Sequence, residues 1–215
     1  PITILQTPQV TAASNVSSGC SPLVVSCAST ITYADSASWF WDFGNGVTST
    51  QSYPTVTLTT PGIYPVTLTV TNANGCGATV TLPSIQVFDS LPPPISKILS
   101  VSVLDNSSVE ITWENNTAID LQAYVLYRLN SVTNQFQAIY TDTNNYNTTF
   151  SLNPTYIDRG LNTLSNVYTY KLMTLDECQN AVPLSQLTAH STINVSSQRA
   201  GQGIAVSWNP YGGCP

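Results

Sequence analysis

Charge is what this sequence has least of. Asp, Glu, Lys and Arg make up 7% of its 215 residues, and only 5 of those are Lys or Arg, where an average soluble protein carries roughly 25% charged residues. Cations this sparse cannot form the footprint that a phosphate backbone requires, so nucleic acid is excluded as a partner. Histidine occurs once, at His190. An imidazole general base, a Ser-His-Asp triad or a multi-histidine metal site would each depend on that single ring. No apolar run approaches the roughly 18 residues of a membrane-spanning helix, so no span is expected in this segment. The chain opens at Pro1 without a methionine, a basic leader or an apolar signal segment, and is expected to be a mature or excised piece.

What replaces charge is Ser, Thr and Asn, about a third of the residues, beside 42% hydrophobic and 9% aromatic content. The supply of aromatic and β-branched residues argues for folded domains over disorder. Apolar and polar residues alternate with period two along nearly the whole chain, and no window shows a helical stripe. Leu23, Val25 and Cys27 share one face. Trp39, Trp41 and Phe43 share another, with Phe40 opposite, and Tyr64, Val66, Leu68 and Val70 alternate with Pro65 and threonines. Threonine suits the solvent side of a strand because it is β-branched yet polar. Turn residues fall between these runs at Gly44-Asn45-Gly46, Pro61-Gly62 and Asn74-Gly75. The pattern predicts an all-β fold of tandem antiparallel β-sandwiches, immunoglobulin-like in architecture.

The consecutive prolines Pro92, Pro93 and Pro94 mark a stiff, extended linker over 90–95. Beyond it alternation resumes at Ile98–Leu104, Val109–Trp113 and Ala123–Arg128, and Tyr168, Tyr170 and Leu172 share a face near the end. Val109, Ile111 and Trp113 are echoed by Ile204, Val206 and Trp208, about 95 residues on, close to one small sandwich module. Ile2–Leu5 likewise reads like the strand at Ser84–Phe88. The expected division is therefore a preceding module's tail strand at 1–6, a sandwich at 7–89, the linker, a second sandwich at 96–193, and the first strands of a further module at 194–215.

On the stretches GCSPLVVSC, WDFGNG and PGIYPVTLTVTNANGC, residues 7–89 resemble a PKD domain. Two positions depart from that family: Asn45 stands where its turn carries an aspartate, and Cys27 where its core carries phenylalanine. The lost acid weakens the case for a cation at this turn. On the Trp113 strand, YVLYR (Tyr124–Arg128) and TYIDRGLNTLSNVYTYKL, residues 95–193 resemble a fibronectin type III domain. The text DECQNAVPLSQLTAHSTINV is similar to repeats in large type 9-secreted, gliding-associated surface proteins of Bacteroidota. That resemblance implies an extracellular, secreted or cell-surface location.

Candidate sites are few. Five cysteines cannot all pair within one chain, and their presence suits an oxidising compartment. The sandwich reading favours Cys27–Cys76, since the end of the second strand and the Asn74-Gly75 hairpin lie at one pole. Cys20–Cys76 is the rival implied by the PKD resemblance, and Cys178 is left for Cys214 or for loops of the first domain. Cys27 as a small buried hydrophobe with no bond is the further alternative. Trp39 is the candidate exposed aromatic contact for a sugar, while Trp41 and Phe43 read as core. The acids Asp35, Asp42, Asp158, Asp176 and Glu177 show neither EF-hand spacing nor a paired-carboxylate arrangement, and turn capping accounts for most of them. Calcium is the one cofactor considered, and the expectation is none. Asp35-Ser36-Ala37 and Asp89-Ser90-Leu91 resemble a short O-glycosylation signal of secreted Bacteroidota proteins, which makes Ser36 and Ser90 candidate acceptors. The functional expectation is a non-catalytic spacer and interaction surface in an adhesin or filament-like surface protein. Its partners would be neighbouring modules, copies of the same protein, or surface glycans and proteins. The alternative is accessory spacer or carbohydrate-binding modules of a secreted polysaccharide hydrolase.

Overall fold

The computed structural model describes residues 7–32, 37–44, 46–143 and 153–213. The chain divides into two compact units, Pro1–Ser90 and Leu91–Pro215. Among the described residues the regular elements are β-strands apart from one 3-10 turn at Leu184–Gln186. That follows from the period-two alternation, which buries one side of a strand and wets the other.

The first unit contains β1 (Gln9–Ser14), β2 (Ser18–Cys20), β3 (Leu23–Thr32), β4 (Ser38–Asp42), β5 (Thr48–Ser49), β6 (Thr55–Leu58), β7 (Gly62–Tyr64), β8 (Thr67–Thr71), β9 (Gly77–Thr81) and β10 (Ile85–Phe88). One sheet has the order β1-β3-β6, another β5-β4-β8-β9, and a smaller sheet β2-β10-β7 includes a parallel pairing of β2 with β10. Their inward residues form one core, with Val25, Trp41, Phe43, Val66, Leu68, Val70 and Ile85 fully buried. Trp41 and Phe43, two apart on the chain, stack at a centroid distance of 6.2 Å. The Trp41 indole N–H reaches the Gln51 carbonyl at 3.0 Å, so this ring is buried with its one polar atom satisfied. At the turn after β4, Asp42 Oδ1 accepts the Gly44 N–H at 2.8 Å, and Gly44 adopts φ 77°, which a side chain would resist.

The second unit contains β11 (Ile98–Asp105), β12 (Ser108–Trp113), β13 (Leu121–Asn130), β14 (Gln135–Asp142), β15 (Thr155–Arg159), β16 (Thr169–Asp176), β17 (His190–Ser191), β18 (Val195–Ala200) and β19 (Gly203–Trp208). Sheets β11-β12-β15 and β14-β13-β16-β17 enclose a core built on Val109, Ile111, Trp113, Tyr124, Leu126, Tyr170 and Leu172. This three-plus-four division, with every pairing antiparallel, makes the second unit a two-layered β-sandwich, the class expected of it. Both units are thus β-sandwiches, antiparallel throughout the second and everywhere but the β2–β10 pair in the first, the fold class read from the alternation.

The proline run is partly tied down. Pro93 is buried, and the Pro94 carbonyl accepts from Asn116 Nδ2 at 2.6 Å and from the Thr174 hydroxyl at 3.2 Å. Asn116 also donates its second amide bond to Ser96 Oγ at 3.2 Å, while its Oδ1 accepts the Ala118 N–H at 2.8 Å. Its backbone N–H donates to the Tyr124 hydroxyl, which in turn donates to Asn115 Oδ1. Prolines cannot donate backbone hydrogen bonds, so the run is held through its carbonyls by side chains of the second unit.

Candidate functional site

The expected site residues do not converge. Trp39 is half-buried and packs against the first core, with its indole Nε1 enclosed and without a partner among the described residues. It is therefore not the open aromatic platform expected of it. Residue 39 shares its strand face with Trp41 and Phe43, and the core residues packed against that face half-cover it. Phe40, on the opposite face, is the exposed ring of this strand.

Neither expected cysteine pairing involving Cys76 forms. Cys27 is a buried free thiol and Cys76 a partly exposed one. Cys27 points into the core on β3, where burial pushes its pKa up. Cys76 lies at the β8–β9 hairpin, with its backbone N–H donating to Asn72 Oδ1 at 3.0 Å. The buried-hydrophobe alternative describes Cys27. Cys20 and Cys178 are the disulfide-bonded cysteines of the described residues. Cys214, Asp35, Ser36, Asn45 and the strand expected at 1–6 lie outside the described residues. Ser90 is exposed at the end of the first unit.

Asp42, Asp158 and Asp176 are occupied structurally, and Glu177 is exposed. Asp176, fully buried, accepts from the Asn180 N–H at 2.7 Å and from Asn180 Nδ2 at 2.9 Å, closing the turn after β16. Asp158 does something the sequence reading missed. It is buried on β15, accepts Arg128 Nη1 on both oxygens at 2.9 and 2.7 Å, and accepts the Tyr170 hydroxyl at 2.9 Å. Arg128 follows Tyr124 and Leu126 on the inward phase of β13, and a cation at an inward position was the available signal. Burial, and then the Asp158 anion, raise the Tyr170 pKa, so its hydroxyl keeps its proton and donates. The three groups satisfy one another across the two sheets and leave no free base or nucleophile. Among the described residues no cluster of three or more His, Cys, Asp or Glu gathers to hold a metal.

His190 is buried on β17, with Nδ1 3.1 Å from the Tyr211 hydroxyl. Burial lowers its pKa, so the ring is neutral near pH 7.

The most unusual surface is the β18–β19 hairpin. All of its strand residues are exposed. Its register pairs Val195 with Trp208, Ser197 with Val206 and Arg199 with Ile204. Val195, Ile204, Val206 and Trp208 therefore stand on one face, with Trp208 66% and Ile204 75% exposed. The β11–β12 hairpin has the same plan: Ile98 opposite Trp113, Val101 opposite Ile111 and Val103 opposite Val109. In that copy all of these residues but Val103 are core, and β15 pairs along the far edge of β12. In the second copy neither cover nor edge partner exists among the described residues. The base of the hairpin is nevertheless anchored. Asn194 N–H donates to Asn209 Oδ1, Asn209 Nδ2 donates to the Thr192 carbonyl at 3.0 Å, and the Ser191 N–H donates to the Gly212 carbonyl at 3.1 Å.

Comparison with known proteins gives the following. Residues 6–87 match the PKD domain family model. A stretch of 38 residues is 58% identical to the pre-pro-metalloprotease PrtV of Vibrio cholerae, covering 18% of this chain and 4% of that protein. The chain thus spans a small fraction of the curated relative it matches. The crystal structure of the PKD1 domain of the same protease is 37% identical over 38% of this chain and 98% of that one, with a TM-score of 0.33. The fibronectin(III)-like modules of Clostridium thermocellum CbhA are 13% identical over 85% of this chain and 91% of theirs, with a TM-score of 0.41.

Proposed function

With residues 6–87 belonging to the PKD domain family, we propose that this chain is a non-catalytic, extracellular run of β-sandwich modules. It serves as a spacer and interaction scaffold in a bacterial surface protein of the adhesin or filament-like kind. The observation that carries the reading is the second hairpin. Its second strand repeats Val109-Ile111-Trp113 of β12 as Ile204-Val206-Trp208 and, like β12, pairs antiparallel with the strand before it, without the sheet that covers the first copy. A two-stranded ribbon with a bare apolar face is marginally stable alone, and its twin in this chain is the opening of a sandwich. Residues 194–215 are thus the first strands of a further module, and repetition of such modules is what a spacer is made of.

The chemistry agrees with that role. The buried carboxylate of Asp158 is bonded to Arg128 and Tyr170, and the single histidine holds Tyr211. The Ser/Thr/Asn-rich, charge-poor surface and the disulfide-bonded Cys20 and Cys178 suit an oxidising, extracellular setting. Type 9 secretion, surface glycans as partners and glycosylation at Ser90 belong to the same proposal and rest on the sequence resemblance.

The deciding experiment is to sequence the gene on both sides of this segment and to measure the extent of a longer product by small-angle scattering. Further sandwich modules and an elongated particle agree with the proposal. A polysaccharide-hydrolase domain on the same polypeptide would replace it with the accessory-module reading.

A further inference from the structure

The second unit holds a cavity of about 500 Å³ that the spacer role does not use. It opens between the start of β11 and the segment leading into β17, with Ile98, Leu99, Leu172 and Leu187 among its walls and Lys97 and His190 as its ionisable groups. Three of those apolar side chains are core-class residues, each less than a tenth exposed. Ligand pockets run from roughly 300 to 1,000 Å³ with apolar walls and a few placed polar groups.

The polar groups narrow the ligand. His190 is 7% exposed, and only its Nδ1 is engaged, with Tyr211. Its other ring nitrogen has no hydrogen-bond partner among the described residues and is not among the sealed-off polar atoms, so it is open to a ligand in the cavity it lines. Lys97 is exposed and has no carboxylate partner among the described residues. Gly213 lies against the imidazole at φ 122°, and a Cβ there would come 2.3 Å from Nδ1, so the ring is held by a position that accepts glycine alone. A cavity with aliphatic walls, one imidazole nitrogen free to hydrogen-bond and one cation without a carboxylate partner among the described residues suits an apolar body with a single acidic head.

We propose that this cavity is a binding site for an alkyl or aryl carboxylate, its chain among Ile98, Leu172 and Leu187 and its head recognised by Lys97 and His190.

The test uses the whole 215-residue chain and sodium decanoate as probe, with decanol as the uncharged comparison. Because the chain has 1 histidine, the imidazole Cε1–H resonance reports on His190 without assignment. Decanoate is expected to shift that resonance saturably, half-maximally below about 1 mM. Leu99→Trp and Gln186→Trp, at exposed lining positions, fill the mouth and are expected to weaken binding at least tenfold with unchanged melting temperature. Lys97→Met is expected to weaken decanoate about three- to tenfold and leave decanol unaffected. A linear, unsaturating shift up to 5 mM in the native chain overturns the site, as does saturable binding that survives both tryptophan variants. Equal affinity for acid and alcohol, insensitive to Lys97→Met, overturns the acidic class.

Discussion

Asp158→Ala is the most informative single perturbation of the second unit. The carboxylate is buried and accepts two bonds from Arg128 Nη1 and one from the Tyr170 hydroxyl. Hydrogen bonds to charged groups contribute about 1.5–3 kcal/mol each, and an orphaned buried hydroxyl costs about 1–3 kcal/mol more. Arg128 is partly exposed, with 31% of its side-chain surface open, so water takes over part of what it loses, and the charge contribution falls at the low end. The expected destabilisation is about 3 kcal/mol or more, against about 1.5 kcal/mol for Tyr170→Phe, which removes one bond and leaves the ion pair intact. In a domain of this size 1 kcal/mol moves Tm by about 4–8 °C, so the alanine variant should melt well over 10 °C lower. The assay is scanning calorimetry on the full chain, with the second unit's transition assigned by its response to Trp113→Phe. A double-mutant cycle with Arg128→Met should return a coupling of about 1–2 kcal/mol. A loss below about 1 kcal/mol for Asp158→Ala, or zero coupling, refutes the claim that this triad ties the two sheets together.

Burial lowers the His190 pKa, so folding favours the neutral ring: that stability is full above the unfolded-state value of about 6.5 and is lost as pH falls through it. His190→Gln should flatten the acid limb of a urea-midpoint profile between pH 7 and 5. Tyr170 has the opposite sense. Its raised pKa means stability is intact below about pH 10 and falls above it as the unfolded chain ionises, and Tyr170→Phe should reduce that alkaline loss. Cys76 should react with a maleimide in the native protein while Cys27 reacts only on unfolding, since one is partly exposed and the other buried; peptide mapping that finds both labelled equally fast contradicts the core placement of Cys27. Asn116→Ala strips partners from the Pro94 carbonyl, Ser96 and Ala118 and should cost about 2–3 kcal/mol, read as accelerated proteolysis within 90–95. Trp208→Ser, on the open face of the second hairpin, should leave this chain's melting within about 0.5 kcal/mol of the parent but destabilise a longer product that contains the whole further module.

The strand content and the inward phase of most strands were determined by the sequence itself, because in a sheet burial alternates with chain position. Tyr64, Val66, Leu68 and Val70 could face only one way together, and they do face the core. The repeat of Val109-Ile111-Trp113 in Ile204-Val206-Trp208 was legible for the same reason, and both stretches lie on the second strand of an antiparallel hairpin. Tertiary structure alone decided what depends on distance between sheets. Trp39 shares the inward phase and is half-covered because of what packs over it. Cys27 and Cys76 are separate thiols because one is inside the sandwich and the other on a hairpin. Asp158 finds Arg128, 30 residues away in sequence, only when β13 and β15 lie in facing layers. Periodicity describes each strand against its own two sides. Pairings across the core, and the cavity beside His190, depend on how two such surfaces meet, which is set by the packing of the whole domain.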